Sequence, residues 1–398
     1  MKIVIVSSFY SEGMGYSENN LPKALASLGH EVHVLTSNLN VYGTSSDYRK
    51  NYESFLGPAD QGVKTFAADG YTVHRLPSKI VSGYVRIRHL YKTIKALTPD
   101  IVQSTGIASL NTYRLAAIKP LLKFRLFTEN HQHMSVVKPY LKNPRGNLGK
   151  KMVYKLTRTL PSAIAAGSVE KCYAIAPDCA EVANLYYGVP QRKITVQPLG
   201  TDTDLFRPAL TAEEKARRSA QRKTLGYNDE DIICIYTGRF TKEKNPLLLA
   251  QAVEKLAAEG LPFHSLFIGE GGQHEMMSQC RNARVISFMK HTDLSDYYRL
   301  ADIAIWPTQE SLSMLDAASS GLPLIVTDRI GERERITGNG NVYKENDLDD
   351  LARVLKSYTD SGLRQSHGAM GREKMIKHYS WINIAKALEN DYLAALNK

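Results

Sequence analysis

Four charged side chains in the second half of the chain have the types and spacing to act together: Arg239, Lys244, Glu310 and Asp316. Gly238-Arg239 follows the apolar run 232–236, so Arg239 and Lys244 project beyond the carboxyl end of a predicted strand, where open α/β sheets bind ligands. A guanidinium clamps phosphate oxygens in a bidentate fork, and an ammonium adds a point charge. Glu310 follows a second apolar run, 303–306, in a Ser-rich loop ahead of a helix pattern through Leu312, Leu315 and Ala318. Gly321 and Pro323 stop that helix. A carboxylate can hold sugar hydroxyls, while a helix start capped by Ser311 or Ser313 offers free N–H groups to phosphate. Cations for phosphate beside an acid for hydroxyls suit a sugar nucleotide.

Two further loops end predicted strands. Gly269-Glu270-Gly271-Gly272 follows the run 265–268 and would let backbone approach a ligand closely, though a tight turn explains it equally well. Phe288-Met289-Lys290-His291 ends the run 285–288, where backbone groups could meet a nucleobase or simply form a β-α loop. In the first half, Gly13-Met14-Gly15 lies between a first strand and a helix at residues 21–28. It is not a GxGxxG fingerprint, so no nicotinamide site is read from it.

The elements that must position these residues alternate strand, turn and helix, which argues for parallel α/β layers. Predicted strands lie at 4–7, 32–36, 101–103, 124–128, 173–176 and 194–197, then at 232–236, 265–268, 285–288, 303–306 and 323–326. Val85, Ile87, Leu90, Ile94 and Leu97 recur at helix spacing. Residues 38–70 are polar, tyrosine-rich and weakly periodic, and read as a long loop near a substrate. Two amphipathic helices, 363–378 and 382–396, follow the last strand.

A chain of 398 residues is too long for one ordinary core and fits two domains, 1–198 and 199–378, with 379–398 returning to the first. Hydrophobic content of 43% and charged content of 23% are those of a globular protein. No apolar run approaches the roughly 20 residues that cross a bilayer, and Met1-Lys-Ile-Val-Ile-Val6 reads as a strand, not a leader. Cys172, Cys179, Cys234 and Cys280 show no CxxC spacing, pointing to a cytoplasmic, disulfide-free chain.

Net charge is +11, concentrated at one end. Residues 1–200 hold 25 Lys and Arg against 12 Asp and Glu, and from Arg114 to Arg158 eleven bases meet the single acid Glu129. Such a field favours an anionic partner. Met152, Val153, Leu156 and Leu160 share a face ringed by Lys150, Lys151, Lys155 and Arg158. That pattern suits peripheral attachment to anionic lipid at the inner membrane face, or a core helix with a solvated basic side. No helix-turn-helix, zinc or aromatic platform pattern accompanies the bases, so nucleic acid is not expected as a partner.

Taken as a set, Gly238-Arg239…Lys244, Gly269-Glu-Gly, Ala301-Asp302 and Pro307…Glu310…Asp316-Ala-Ala…Gly321-Leu-Pro323 resemble the retaining glycosyltransferases of family 4. The likeness extends through Met1–Thr36, Pro198-Leu-Gly-Thr-Asp202…Phe206-Arg-Pro208 and Ser380-Trp381, nearly the full length. It implies the GT-B fold: two Rossmann-like domains facing across a cleft, with a C-terminal helix returning to the first. It implies a nucleoside-diphosphate sugar as donor, held mainly by the second domain, and a glycan or lipid-linked acceptor. Arg239 and Lys244 would hold the diphosphate. Glu310 matches the family glutamate near the donor sugar, and Asp316 the one that holds ribose hydroxyls. Gly13 and Gly15 match the first-domain loop at the diphosphate, and His131, or its neighbour His133, the histidine near the reacting sugar.

There are departures. Five residues separate Glu310 from Asp316 where the family has seven, the second acid is one methylene shorter, and Met14 interrupts the glycine pair. Asp202-Thr-Asp204 imitates a DxD metal motif but reads as a turn. His131-x-His133 could ligate a metal, yet no Cys or carboxylate beyond Glu129 lies near it in sequence, so metal-independent transfer without a cofactor is expected. Glu129 lacks a clear partner for double displacement, which leaves front-face substitution. A sugar-nucleotide epimerase or a non-catalytic relative of the same fold is the alternative.

Overall fold

Strands buried on both faces read as unbroken runs of branched apolar residues, and two sets of such runs build two parallel sheets. The computed structural model describes residues 1–141, 148–308 and 310–398. It comprises one unit of Met1–Leu199 with Ile384–Lys398 and a second of Gly200–Asn383.

The first unit contains β1 (Lys2–Val6), β2 (Glu31–Ser37), β3 (Lys64–Ala68), β4 (Tyr71–Leu76), β5 (Ser78–Val81), β6 (Tyr84–Ile87), β7 (Ile101–Ser104), β8 (Arg125–Asn130), β9 (Cys172–Ala174) and β10 (Ile194–Val196). Eight form one sheet in the order β10-β9-β8-β7-β1-β2-β4-β3, parallel except where β3 pairs antiparallel with β4. β5 and β6 form a separate hairpin whose turn residues Ser82 and Gly83 have φ of 49° and 76°.

The second unit contains β11 (Ile232–Thr237), β12 (Phe263–Ile268), β13 (Ala283–Ile286), β14 (Ile303–Trp306), β15 (Leu324–Thr327) and β16 (Gly340–Tyr343). Their order is β13-β12-β11-β14-β15-β16, all parallel. Counted from β11 this is 3-2-1-4-5-6, the Rossmann order, and its topological switch falls between β11 and β14. In the first unit the switch falls between β1 and β7.

Two expectations are corrected. Residues 38–70 are not one loop: they hold two single-turn helices, Tyr48–Asn51 and Glu53–Leu56, and the whole of β3. Buried Asn40 organises them, donating to the Leu56 and Pro58 carbonyls at 2.9 and 3.2 Å and accepting from Ser11 Oγ at 3.0 Å. Weak periodicity arose because side-chain hydrogen bonds replace an apolar face there. Val85 and Ile87 belong to β6, so the helix expected through them starts only at Leu90. β16 begins at Gly340, which showed no apolar run; a Cβ there would lie 1.9 Å from the Leu324 carbonyl oxygen.

Helix Trp381–Leu396 links the units by membership, since residues 384–398 complete the first. Asp391 accepts from Lys171 Nζ at 2.6 Å and the Tyr173 hydroxyl at 2.9 Å. Tyr392 is fully buried edge-on to Phe127, with centroids 4.7 Å apart. At the start of the second unit, the Thr201 N–H donates to the Tyr379 carbonyl at 2.8 Å, and the Trp381 N–H to the Thr201 carbonyl at 3.2 Å.

Glycines seat the ends of β11 and β12 together. Gly269 has φ 149°, and a Cβ there would lie 1.9 Å from the Gly238 carbonyl oxygen; at Gly271, φ 150°, it would lie 2.6 Å from the Phe240 carbonyl oxygen. The close approach that these glycines allow is between two protein backbones, with the Phe240 N–H donating to the Glu270 carbonyl at 2.8 Å. Replacing Gly269 by Ala should destabilise by about 3 kcal/mol through overpacking and backbone strain. That lowers the Tm by roughly 6–12 °C, read by thermal denaturation of the full chain. Gly272→Ala, where a Cβ meets nothing within 4 Å, should leave Tm nearly unchanged.

Candidate functional site

In the second unit the switch between β11 and β14 brings the sequence-predicted residues to one sheet edge. Gly238, at φ 145°, ends β11, and the Tyr236 hydroxyl donates to the Arg239 carbonyl at 2.9 Å. Arg239 is exposed and Lys244 half-buried, and neither forms an ion pair among the described residues. Burial and the neighbouring Arg239 push the Lys244 ammonium below its usual range. A lysine held below its usual range by burial and by Arg239, at the carboxyl end of a central parallel strand, suits an anion that would restore its charge.

The β14 loop is tied to the same edge. Trp306 is buried and its indole N–H donates to the Thr237 carbonyl at 3.2 Å, while Thr308 Oγ donates to the Glu243 carbonyl. Gln309 lies outside the described residues. Glu310 is not a loose loop acid: its Oε1 accepts the N–H groups of Gly331 and Glu332 at 2.7 and 3.0 Å, and its Oε2 pairs with Arg335 at 3.1 Å.

Ser311 and Ser313 bond each other at 2.8 Å, and helix Ser313–Ser319 starts after Leu312 without a side-chain cap, which corrects the capping expected of them. Leu312 is exposed. Asp316 is 4% exposed; its Oδ1 accepts from Thr201 Oγ at 2.6 Å and its Oδ2 meets His291 Nε2 at 2.8 Å. The Asp316 carboxylate is thus held between two side chains of its own unit, one on each oxygen. Phe288 is at the surface and Met289 packs against the core. The Glu270 side chain is exposed, 3.9 Å from His274.

In the first unit, Gly13 and Gly15 follow β1 with φ of 74° and 68°, conformations that Met14 does not need to adopt. Helix Ser17–Ser27 holds their loop: Asn19 donates to the Ser11 carbonyl at 3.0 Å and Asn20 to the Gly15 carbonyl at 2.8 Å. His131 directly follows β8, its Nε2 2.6 Å from Glu129 Oε2. Glu129 is buried, accepts from Gln103 at 2.6 Å, and Gln103 in turn accepts the Tyr392 hydroxyl. Burial opposes the imidazolium, but the Glu129 bond and the charges of Glu129 and Glu18 outweigh it and raise the His131 pKa. Glu18 is pushed up to about 7, chiefly by burial.

Sequence reasoning missed Glu18, Gln103 and Tyr392; only their positions after β1, in β7 and on the returning helix could have signalled them. His133 points elsewhere, with Nδ1 3.1 Å from both Asp178 oxygens and 3.6 Å from Cys179 Sγ. The expectation that no Cys or carboxylate stands near the histidines is thereby corrected, because the fold brings helix Pro177–Leu185 beside the β8 loop. Asp202 Oδ1 accepts the N–H groups of Asp204 and Leu205 at 3.2 and 3.1 Å, a turn.

Two family descriptions match, one after the other: "Glycosyltransferase Family 4" over residues 12–205 and "Glycosyl transferases group 1" over residues 231–360. The chain belongs to the family 4 type of glycosyltransferases. Among curated family relatives, the Escherichia coli UDP-Gal:alpha-D-GlcNAc-diphosphoundecaprenol alpha-1,3-galactosyltransferase is 23% identical over 76% of this chain and 78% of its own. Spore coat protein SA of Bacillus subtilis is 25% identical over 48% of this chain. The chain spans about half the length of several of the curated relatives it matches, 56% in the Bacillus case. Solved structures share the GT-B fold. Anabaena HepE in complex with UDP superposes with a TM-score of 0.68 at 12% identity, covering 99% of this chain and all of that one. A glycosyltransferase from Rickettsia africae superposes at 0.67 with 17% identity, covering 100% of this chain and 99% of that one.

The Glu310 contacts yield a test that needs no substrate. Glu310→Ala removes charge-assisted hydrogen bonds of about 1.5 kcal/mol or more. Amide exchange at Gly331 and Glu332 should then speed up by roughly 10-fold or more, with exchange in β11 unchanged.

Proposed function

We propose that this chain is a retaining glycosyltransferase that moves a sugar from a nucleoside-diphosphate sugar to an acceptor hydroxyl, in the synthesis of an envelope polysaccharide, lipopolysaccharide or glycolipid. The observation that carries the reading is the pair Arg239 and Lys244, without ion-pair partners among the described residues, at the switch of a Rossmann-order sheet. Supporting it, HepE was solved in complex with UDP and with UDP-glucose, and the Escherichia coli relative's name joins a UDP-sugar to a diphosphoundecaprenol-linked acceptor.

In this reading Arg239 and Lys244 grip the diphosphate and stabilise it as it leaves. The bond from the anomeric carbon to the diphosphate oxygen breaks while the acceptor oxygen bonds to the same face, and the acceptor proton passes to the departing diphosphate. Glu310 lies beside the donor sugar, seated by the 331–335 segment, and Asp316 steadies the donor side through His291 and Thr201. The Gly13–Gly15 loop meets the diphosphate, His131 faces the reacting sugar, and Phe288 and Met289 border the base. Transfer needs no metal at the diphosphate, because the two cations supply its counter-charge.

Binding at a membrane face belongs to the same reading. No helix among the described residues is long and apolar enough to cross a membrane. Helix Leu148–Tyr154 continues through a π turn into helix Leu160–Ser168, and along it Met152, Val153, Leu156, Leu160 and Ile164 are each more than half exposed. They are not core. Tyr154 turns inward to the Tyr187 hydroxyl at 2.8 Å, while exposed Lys155 and half-buried Lys151 border the apolar stripe and Arg158 stacks on Tyr84 at 4.6 Å. The Lys150 side chain lies outside the described residues. An apolar stripe with lysines beside it suits the cytoplasmic surface of an anionic bilayer.

Incubation with UDP-, GDP- and ADP-sugars should show slow donor hydrolysis and a Tm rise with one base. Arg239→Ala should lower turnover roughly 10- to 150-fold, the value of a charge-assisted contact. Near-normal turnover in that variant rejects the assignment, and conversion of the donor to an isomer without acceptor makes the chain an epimerase. Sedimentation with phosphatidylglycerol vesicles at low salt should pellet the protein, Leu156→Glu with Leu160→Glu should leave it in the supernatant, and 1 M salt should weaken binding by screening.

A further inference from the structure

His133, Asp178 and Cys179 lie in the first unit, on a different unit from Arg239 and Lys244. One nitrogen, one carboxylate oxygen and one sulfur, each from a different side chain, fall within 4.8 Å of one another. His133 follows β8, and Asp178-Cys179 forms the first turn of helix Pro177–Leu185 after β9, so two neighbouring parallel strands deliver the three groups at their carboxyl ends.

The two separations that involve His133 Nδ1 lie within about 0.3 Å of coordination edges. With Zn–S near 2.3 Å, Zn–N near 2.05 Å and Zn–O near 2.1 Å, a tetrahedral ion puts S and N about 3.6 Å apart and N and O about 3.4 Å apart. Here Cys179 Sγ lies 3.6 Å from His133 Nδ1, and Asp178 Oδ1 lies 3.1 Å from it. The ligands are braced from behind: the Met134 N–H donates to Asp178 Oδ2 at 3.1 Å, and Asn130 Nδ2 donates to the Cys179 carbonyl at 2.8 Å. Such outer contacts orient metal ligands. Cys179 is buried, while His133 is 49% and Asp178 40% exposed, so an ion could enter from the side of the two exposed ligands.

We propose that His133 Nδ1, Asp178 and Cys179 Sγ bind a zinc-class divalent cation, leaving a fourth position for water. Binding releases the thiol proton to solvent and moves the imidazole proton from Nδ1, where it faces Asp178, to Nε2, so His133 stays neutral as Zn–S, Zn–N and Zn–O bonds form. The mixed N, O, S set excludes magnesium and calcium, which take oxygen ligands, and three protein ligands make an open site, not a closed structural one. All three ligands belong to the first unit and the test reads metal binding, so it does not depend on sugar transfer.

The full-length protein, reduced and stripped with chelator, is titrated with Co²⁺ alone. One equivalent should produce a thiolate-to-cobalt charge-transfer band in the near ultraviolet, and one equivalent of Zn²⁺ should bleach it. Cys179→Ser should abolish the band, and Cys280→Ser, at the one partly accessible thiol of the four, should keep it. Because Cys179 is buried, His133→Ala on an exposed side chain provides a second arm, with Co²⁺ affinity falling at least 10-fold while circular dichroism matches the wild type. Zn²⁺ should raise the wild-type Tm and leave that of His133→Ala unmoved. A wild-type protein with no band at stoichiometric Co²⁺, or a band that persists in Cys179→Ser, shows that the three groups form only a hydrogen-bonded cluster.

Discussion

Both units rest on one constraint: a parallel strand covered on both faces admits a polar side chain only where a buried partner meets it, so ligand-facing chemistry is displaced towards its carboxyl end. β11 shows this at its most severe, with six consecutive buried residues before Gly238 and Arg239. β14 repeats it with four, ending in Trp306, whose indole is tied back to β11. The two loops then share an edge because their strands are neighbours, not because either loop has a strong preference of its own. The same logic in the first unit places the Gly13–Gly15 loop after β1 and His131 after β8.

Within that constraint the acids diverge in role. Asp316 sits one methylene short of a glutamate and two residues early, on a helix that starts only at Ser313. Its carboxylate is accordingly drawn into the protein, between Thr201 and His291, while Glu310 is gripped by the 331–335 segment. A shortened acid interval has thus exchanged reach for fixity. Glu129 does for His131 what His291 does for Asp316, supplying a partner of opposite character at hydrogen-bond distance.

Much of the fold was legible because apolar runs are a direct record of two-sided burial. The central strands β1, β2, β7, β8, β11, β12 and β14 announced themselves in this way, as did the cations after β11. Elements that depend on side-chain hydrogen bonds or on backbone contact were hidden: the segment built on Asn40, the strand that starts at Gly340, and β6, whose Val85 and Ile87 happen to fall in phase with the next helix. Candidate-site residues were legible where a motif kept them close in sequence. Glu18, Gln103 and Tyr392 were not, because 18, 103, 129 and 392 become neighbours only when strands and the returning helix are stacked.

The returning helix has a consequence for how the molecule is made. Residues 200–383 form the second unit without interruption, so that unit is complete in the nascent chain before residues 384–398 have emerged. The first unit, although begun earlier, waits for Asp391 to pair with Lys171 and for Tyr392 to close over Phe127 and Gln103. Domains ordinarily fold in the order of their synthesis. Here the first unit draws residues from both sides of the second, and the buried glutamate behind His131 is linked through Gln103 to a tyrosine that follows the whole of the second unit in the chain.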